Sequence, residues 1–292
     1  MRYLITSALP YANAPLHIGH VLEIVQTDVW VRSLKLAGNN VFYYCASDTH
    51  GTPIMLKAQE LNTTPEELSK KYKKLHSDTY KSYNVDLNNF HTTHSKENKE
   101  LTEHFFNSAY EKGDIYTKEI EQLFDEQKNI FLSDRFVKGE CPSCGAKDQY
   151  GDACEVCGQT YDALDLKNPY STLSNSEPVI KKSKHYFFKL NNFKEFLNET
   201  VSEISNQDPI KEKLKEWFDS GLKDWDISRD EPYFGFKIPN EDSKYLYVWL
   251  DAPIGYLSSI KNWCDSNNID FNDFINDSKI VHFIGKDIVY FH

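Results

Sequence analysis

The fold of this chain is decided by the stretch Ala8-Leu9-Pro10-Tyr11-Ala12-Asn13-Ala14-Pro15-Leu16-His17-Ile18-Gly19-His20. Residues 3–8 form an apolar run that predicts a buried strand, and apolar residues recur at helical spacing from 21 to 34, until Gly38-Asn39. A helix that begins directly after a strand points free backbone N–H groups and the positive end of its dipole at the crevice above the sheet. The stretch therefore predicts an anion-binding turn.

Two histidines stand at this turn. His17 and His20 are three residues apart, so they fall on one face of the first helical turn. A single histidine in a helix is more often structural, but two of them around Gly19 favour a site, because glycine lets a ligand approach and imidazoles can donate to phosphate oxygens. The string His17-Ile18-Gly19-His20 resembles the HIGH signature of class I aminoacyl-tRNA synthetases, which requires this strand-to-helix context.

Length and composition set the outer bounds. The chain has 292 residues, which is long for one domain and predicts a core fold with an inserted or appended module. Its formal net charge of -11 argues against broad nonspecific binding of nucleic acid, DNA included, but leaves room for a local basic surface that receives RNA. The N-terminus resembles no signal or transit peptide, and no apolar run approaches the ~20 residues of a membrane span. These features predict a cytoplasmic protein without membrane contact.

Four of the six cysteines form two C-x-x-C pairs, Cys141-Pro142-Ser143-Cys144 and Cys154-Glu155-Val156-Cys157, with nine residues between the pairs. A glycine follows each pair and frees the backbone for a tight turn, so that all four thiolates can face one ion. Such knuckles form closed tetrahedral zinc sites, and we expect one structural Zn²⁺ per chain. Two disulfides or a redox pair are the alternatives. Cys45, in a strand, and Cys264, in a helix, are predicted to be buried apolar residues.

A second strand is predicted over residues 41–46, and the helix between the two strands completes a right-handed β-α-β unit. The carboxyl end of this strand carries Ser47-Asp48-Thr49-His50-Gly51. Because open α/β sheets build their sites at strand ends, we expect Asp48 beside the histidine turn, where a carboxylate suits a substrate ammonium. Capping of the helix that passes through residues 54–61 is the alternative role for Asp48.

The pattern divides the chain into three parts. Residues 1–112 hold the first half of a Rossmann-like, doubly wound parallel sheet, with helices predicted near 64–84 and 95–112 and with His91 and His94 in the loop between them. Short strand-like pieces and the cysteine knuckles occupy 113–228, which we interpret as an inserted domain whose basic run at 181–184 is a solvated turn or a tRNA contact. Residues 229–292 return to the sheet with strands predicted at 244–249 and 280–284, and a helix begins at 288. A doubly wound sheet would not naturally stop there, so we expect the chain to be a fragment.

Further motifs extend the resemblance to the whole chain and point to one group of class I enzymes, the methionyl-tRNA synthetases of bacteria. They are residues 8–13, Asp48-Thr49-His50-Gly51-Thr52-Pro53-Ile54, Trp225-Asp226-Ile227-Ser228-Arg229-Asp230, residues 247–256 and His282-Phe283-Ile284-Gly285-Lys286-Asp287. The spacing of the cysteine knuckles is also similar to that of this family. The resemblance implies that ATP, with Mg²⁺, activates L-methionine to methionyl-adenylate, and that the methionyl group then passes to initiator or elongator tRNA(Met).

The resemblance also assigns residues. It implies that His17 and His20 are catalytic. It implies ATP contacts from Tyr11, Asn13, His17, Gly19, His20 and Lys286. It implies a methionine pocket of Ala8, Leu9, Tyr11, Asp48, Trp249, Ala252, Pro253, Tyr256, Ile288 and His292, with Asp48 receiving the ammonium. Ordinary core packing is the alternative for each pocket aromatic taken alone, and ion pairing within the fold is the alternative for Lys286 and Arg229.

One departure from the family bears on activity. The sequence contains no KMSKS loop and no helical anticodon-binding domain, so we expect that this polypeptide alone does not aminoacylate tRNA. Two other interpretations stay open at this point. The first is a class I synthetase for another apolar amino acid, for whose large editing insertion there is no room here. The second is a non-catalytic module that binds tRNA or an adenylate.

Overall fold

The computed structural model describes residues 2–204, 207–219 and 221–292. The first part of the chain alternates strands and helices. Its elements are β1 (Arg2–Ser7), α1 (Ile18–Leu36), β2 (Asn40–Ser47), α2 (Thr52–Glu60), α3 (Pro65–Ser82), β3 (Asn89–Thr92) and α4 (Lys96–Glu111). Strand β3 contains His91, so the expectation that His91 lies in a loop was wrong. This strand has only four residues, which is too short for a sequence pattern to reveal.

The second part is mainly antiparallel. It comprises β4 (Ile115–Asp125), β5 (Ile130–Phe131), β6 (Val137–Glu140), β7 (Gln149–Tyr150), β8 (Lys167–Ser171), β9 (Val179–Phe188), α5 (Lys194–Ile204), α6 (Asp208–Asp219) and β10 (Trp225–Asp226). Strands β4 and β9 pair over ten residues at the centre of a sheet ordered β10-β9-β4-β5, and β6 forms a smaller sheet with β7 and β8. The domain boundaries proposed at 113 and 228 stay predictions, but the antiparallel elements begin and end close to them.

The chain then returns to the first part. It forms β11 (Ser228–Asp230), β12 (Lys244–Leu246), α7 (Val248–Ser266), α8 (Phe271–Asn276) and β13 (Ser278–Phe283), and a 3-10 helix covers Lys286–Phe291. The strand predicted over 244–249 ends at Leu246, because Tyr247 is the extended N-cap residue of α7. Trp249 therefore lies in the first turn of a helix. The helix predicted from 288 is a 3-10 helix that starts two residues earlier.

The parallel sheet has the strand order β13-β1-β2-β3, and β1 pairs in parallel with both β13 and β2. Neighbouring residues of β1 face opposite sides: Ile5 packs with Ile24 and Val31 of α1, whereas Leu4 packs with Ile260 of α7. Helices therefore cover both faces, as the doubly wound α/β prediction requires. The fold class is confirmed: a parallel α/β sheet is interrupted by an antiparallel region that holds the four clustered cysteines.

Cys45 in β2 and Cys264 in α7 are both buried in these two cores, as predicted. The sequence shows no apolar run long enough for a membrane span. Among the helices of the described ranges, none combines the length and the apolar character that a membrane crossing requires.

Candidate active site

The turn between β1 and α1 is closed by its two histidines. His17 is the N-cap residue of α1, and its Nδ1 accepts a hydrogen bond from the backbone N–H of Gly19 at 3.1 Å. The backbone N–H of His17 in turn donates to Nδ1 of His20 at 3.3 Å, and the two ring centroids lie 3.8 Å apart. Two N–H groups that the sequence analysis expected to point freely into the crevice are therefore engaged by the imidazoles themselves.

This closure needs Gly19. A Cβ atom at Gly19 would lie 2.9 Å from Cε1 of His17, so any larger residue would displace that ring. Burial lowers the pKa of His20, and the neighbouring rings of His17 and His76 lower it further. The His20 ring is therefore neutral at neutral pH and can donate one hydrogen bond through Nε2 when Nδ1 is the acceptor.

Asp48 lies beside this turn, at the carboxyl end of β2. Its backbone is fixed there because its N–H donates to the carbonyl of Pro10 at 3.0 Å and its carbonyl accepts from the N–H of Ala12 at 2.8 Å. The N-cap residue of α2 is Gly51, not Asp48, so the capping alternative for Asp48 was wrong. The side chain is only 9% exposed, and within the described ranges its Oδ1 atom has no hydrogen-bond partner.

The electrostatic setting of Asp48 is unfavourable for a carboxylate. Burial raises its pKa well above the ordinary value, and the nearby carboxylate of Asp251 raises it further. Asp251 is itself fully buried on α7, where its Oδ2 lies 2.7 Å from Nδ1 of His50. Nε2 of His50 is in turn hydrogen-bonded to Nδ1 of His94 at 3.0 Å. A buried carboxylate oxygen without a donor is a costly arrangement that a cationic group of a ligand would relieve.

Gly51 brings the next segment close to Tyr11. Its φ of +108° favours glycine, and a Cβ atom there would approach the Tyr11 hydroxyl to 2.9 Å. That hydroxyl donates to the carbonyl of His50 at 2.6 Å, which links the histidine turn to the segment after β2. The two loops above the sheet are thus held together next to Asp48.

Helix α7 supplies the aromatic side. Trp249 stacks on Phe291 with ring centroids 4.2 Å apart. The hydroxyl of Tyr256 lies 2.7 Å from Nε2 of His292. The helix approaches the first loop closely at Gly255, where a Cβ atom would come within 2.9 Å of Cδ1 of Leu9.

These elements enclose a cavity of about 860 Å³. Nine of the residues assigned from the sequence line it: Ala8, Leu9, Tyr11, His17, Gly19, His20, Asp48, Trp249 and Ile288. The other assigned residues, within the described chain, are not part of its lining: Asn13, Ala252, Pro253, Tyr256, Lys286 and His292. Of these, Ala252 and Tyr256 are buried behind the lining in α7, while Lys286 is exposed beside Gly285, which does line the cavity.

The lining also contains residues that the sequence analysis did not assign. Arg135 and Asp152 come from the antiparallel region and form an ion pair of 3.2 Å, and Tyr233 and Tyr247 come from the segments around β11 and β12. Tyr247 lay in a motif that carried the family resemblance, so that motif could have indicated it. Arg135 and Asp152 had no such signal, because only the fold brings their loops to the sheet.

Arg229, an open case in the sequence analysis, lines the same cavity. Its guanidinium carbon lies 3.7 Å from the centroid of the Tyr247 ring, and Nη1 donates to the carbonyl of Ser228 at 2.6 Å. The same Nη1 lies 3.8 Å from Oδ2 of Asp226. Arg229 therefore combines a stacked position with a loose ion pair, and its positive charge borders the cavity.

The four cysteines of the antiparallel region form one cluster. Their sulfur atoms all lie within 4.8 Å of one another, with Cys141 and Cys157 at 3.8 Å and Cys144 and Cys154 at 3.6 Å. Tetrahedral zinc with Zn–S bonds of about 2.3 Å requires sulfur atoms about 3.8 Å apart. All six cysteines are free thiols, so the disulfide alternative was wrong.

The backbone around this cluster repeats. Gly145 has a φ of +73° and donates to the carbonyl of Cys141, and Gly158 has a φ of +74° and donates to the carbonyl of Cys154. The N–H of Cys144 points at Sγ of Cys141 at 3.5 Å, and this donor lowers the pKa of Cys141 to about 6. Four sulfur atoms around one point, held by two glycine turns of the same geometry, fit a metal of the zinc type.

A parallel sheet with a histidine pair above its first strand, and an insertion built on four clustered cysteines, defines the catalytic domain of a class I aminoacyl-tRNA synthetase. Comparison with known families agrees with this class. Residues 3–292 match the family described as "tRNA synthetases class I (M)", and the chain belongs to that family.

Individual relatives give the same picture. The chain is 52% identical to the methionine--tRNA ligase of Vesicomyosocius okutanii subsp. Calyptogena okutanii, over 100% of the chain and 54% of that protein. It is also 52% identical to the methionine--tRNA ligase of Psychrobacter cryohalolentis, over 99% of the chain and 43% of that protein. The chain thus spans about half the length of these relatives. Among solved structures, Mycobacterium tuberculosis methionyl-tRNA synthetase in complex with methionyl-adenylate has the same fold, with a TM-score of 0.75 at 20% identity, over 100% of this chain and 52% of that one.

Proposed function

We propose that this chain forms the part of a methionine--tRNA ligase that activates L-methionine. The methionine carboxylate attacks the α-phosphorus of ATP, a bond forms between them, and pyrophosphate leaves to give methionyl-adenylate. The methionyl group then passes to the 3′-terminal ribose of tRNA(Met). No covalent enzyme intermediate is needed, so the chain contributes by positioning the reactants and stabilising charge.

The observation that carries this proposal is the carboxylate of Asp48. It borders the cavity, it is almost fully buried, and its Oδ1 has no donor among the side chains and backbone groups described. The ammonium of an amino acid supplies both a positive charge and hydrogen-bond donors, which is what this oxygen lacks. An α-amino acid is therefore the ligand class that this corner of the cavity favours.

The apolar end of the cavity supports methionine as that amino acid. Trp249, Leu9 and Ile288 line it, and Trp249 offers an aromatic face. A polarizable thioether gains ~0.3–1.5 kcal/mol from each good aromatic contact. Pro253, Ala252, Tyr256 and His292 lie behind or beside the lining, and we assign them to the wall that shapes the pocket.

We assign the ATP site to the histidine turn. Imidazole donors of His17 and His20 would face phosphate oxygens, Gly19 leaves the approach open, and Tyr11 and Asn13 hold the loop next to the nucleotide. Lys286, exposed next to the cavity, would add a positive charge on the phosphate side. Mg²⁺ accompanies ATP as part of that substrate and neutralises phosphate charge.

We assign Zn²⁺ to the four cysteines, in a structural role. Cys141, Cys144, Cys154 and Cys157 are enough to complete a tetrahedral site with no open position for a reacting molecule. Two short loops with few apolar residues of their own would be fixed by the bound ion. As for the family, we place the protein in the cytoplasm, where thiols stay reduced.

Isothermal titration calorimetry with L-methionine tests the proposal directly. We expect binding by the wild-type chain and no measurable binding by Asp48→Asn, which keeps the shape but removes the negative charge. Asp265→Asn is the matched control, because Asp265 is exposed at the far end of α7 and pairs with Lys261. Binding of L-valine, L-isoleucine or L-leucine in preference to L-methionine would instead identify a synthetase of different specificity.

A second measurement separates a catalytic from a purely binding role. Methionine-dependent exchange between ATP and labelled pyrophosphate reports adenylate formation. We expect this exchange from a methionine--tRNA ligase that contains these 292 residues. Methionine binding without any exchange in that polypeptide would favour the non-catalytic interpretation.

A further inference from the structure

A buried charged cluster joins β9 of the antiparallel region to the strands that follow it. His185 on β9 is 0% exposed, and its Nδ1 lies 2.7 Å from Oδ2 of Asp226. Its Nε2 lies 2.9 Å from Oδ2 of Asp230 and 3.1 Å from Oε1 of Gln122. Ionised carboxylates only accept hydrogen bonds, so both ring nitrogens of His185 carry hydrogen and the ring is an imidazolium.

The electrostatics agree with this protonation state. Burial opposes a charge on His185, but the hydrogen bonds to Asp226 and Asp230 outweigh it and raise the pKa of the histidine. The pKa values of both carboxyls are lowered, because the contact with His185 outweighs their burial. Asp230 has a second cationic partner, the buried Lys244. Asp226, in contrast, has His185 as its close cation.

Asp226 connects this cluster to Arg229, which lines the cavity. Its Oδ1 accepts from the N–H and the hydroxyl of Ser228, both at 3.0 Å. Its Oδ2 faces His185 at 2.7 Å on one side and Arg229 at 3.8 Å on the other. The two cations therefore compete for one oxygen, and His185 holds the shorter contact.

We propose that His185 is a positioning residue: by holding Asp226, it keeps the guanidinium of Arg229 available to the carboxylate of the substrate. If His185 did not neutralise Asp226, that carboxylate would draw Arg229 from 3.8 Å into a full ion pair and away from the cavity. A bidentate pair of arginine and carboxylate is strong, so it would compete directly with the substrate carboxylate. This inference rests on the proposed function, since it requires an amino acid whose carboxylate binds at Arg229.

A purely structural role for His185 makes a different prediction, and two ligands separate the two roles. L-Methionine carries the carboxylate that Arg229 would bind, whereas L-methioninol keeps the thioether and the ammonium but has a hydroxyl group in place of the carboxylate. Loosening of the whole site weakens both ligands alike. Loss of Arg229 from the cavity weakens only methionine.

The experiment is calorimetric titration of His185→Gln with both ligands. We expect affinity for methionine to fall about tenfold, the range of one charge-assisted hydrogen bond, and affinity for methioninol to stay within about twofold. In an Arg229→Ala background His185→Gln should have no further effect on methionine, because the two changes act through one contact. His104→Gln, on the exposed face of α4, is the matched control and should change neither affinity.

A rescue variant covers the case in which His185→Gln folds poorly. Asp226→Asn keeps the shape of that side chain and removes the charge that pulls on Arg229, so Asp226→Asn alone, and combined with His185→Gln, should bind methionine within about threefold of wild type. The proposal is overturned if His185→Gln weakens both ligands equally, if it leaves methionine binding unchanged, or if Asp226→Asn does not restore it. A wild-type chain that binds methioninol but not methionine would also overturn it, whereas one that binds neither refutes the proposed function itself.

Discussion

Methionine affinity should increase with pH, because Asp48 must lose a proton before it can pair with the ligand ammonium. Burial and the charge of Asp251 raise the pKa of Asp48 well above that of an ordinary aspartate. Below that raised pKa the side chain is a neutral acid, and binding of the ammonium form of methionine must release its proton. Above it the carboxylate is ready and no proton is released. Affinity is therefore lost as the pH falls through the raised pKa, and not as it rises.

The size of the effect follows from linkage. Each pH unit below the pKa of Asp48 should reduce the affinity tenfold, or about 1.4 kcal/mol. Asp251→Asn provides an internal test, because it removes the charge that adds to the effect of burial. In this variant the pKa of Asp48 should decrease, and the loss of affinity should move to lower pH.

Titration calorimetry from about pH 5 to about pH 8 measures both quantities. Repeating each titration in two buffers of different ionisation enthalpy counts the protons released. His20→Gln is a control for the nearby imidazole, whose pKa burial lowers. A flat affinity profile with no proton release in the wild type, or a profile that Asp251→Asn leaves unchanged, would refute this reasoning.

Three further predictions concern stability and metal content. Asp48→Asn should raise the free energy of unfolding at neutral pH, measured with urea, because a buried carboxylate with a raised pKa destabilises the fold above its ordinary pKa; lower stability would contradict this. Asp251→Ala should lower the free energy of unfolding by about 1–3 kcal/mol in the same assay, since it leaves the buried Nδ1 of His50 without its hydrogen-bond partner, and an unchanged stability would contradict this. Atomic spectroscopy should find one zinc per chain, and a chelator should make residues 137–171 sensitive to protease while residues 2–111 stay resistant; equal resistance with and without chelator would count against a structural zinc.

The histidine turn could be predicted from sequence because its determinants are local. A predicted strand, a loop and a predicted helix follow one another directly in the sequence. This order places the turn at the carboxyl end of the first strand of the sheet. The place of Asp48 followed in the same way, from its position after β2. The cysteine cluster could also be predicted, because two C-x-x-C pairs, each followed by glycine and separated by nine residues, are typical of a zinc site.

The limits of the sequence appear where contacts between distant segments decide the structure. A strand was predicted over 244–249, yet Tyr247 is the N-cap residue of α7, so Trp249 is a helical residue that lines the cavity. Arg135 and Asp152 reach the same cavity from loops of the antiparallel region, and no spacing in the sequence relates them to β1. His185 was not assigned at all, because its partners Asp226 and Asp230 come from a segment about forty residues away.

The charges around the cavity explain why these distant parts belong together. Oδ1 of Asp48 has no hydrogen-bond donor among the described residues, and Arg229 presents a positive charge that Asp226 holds only loosely. In the function proposed here, Asp48 and Arg229 would face the ammonium and the carboxylate of one amino acid, and the neutral His20 would face the phosphates. Each of these groups is more costly to the folded chain without a ligand than with one, so substrate binding should stabilise the fold as well as orient the reactants. A site of this kind cannot be built from the sheet alone, because Asp226, the carboxylate that would compete for Arg229, is bound by a histidine that the antiparallel region supplies.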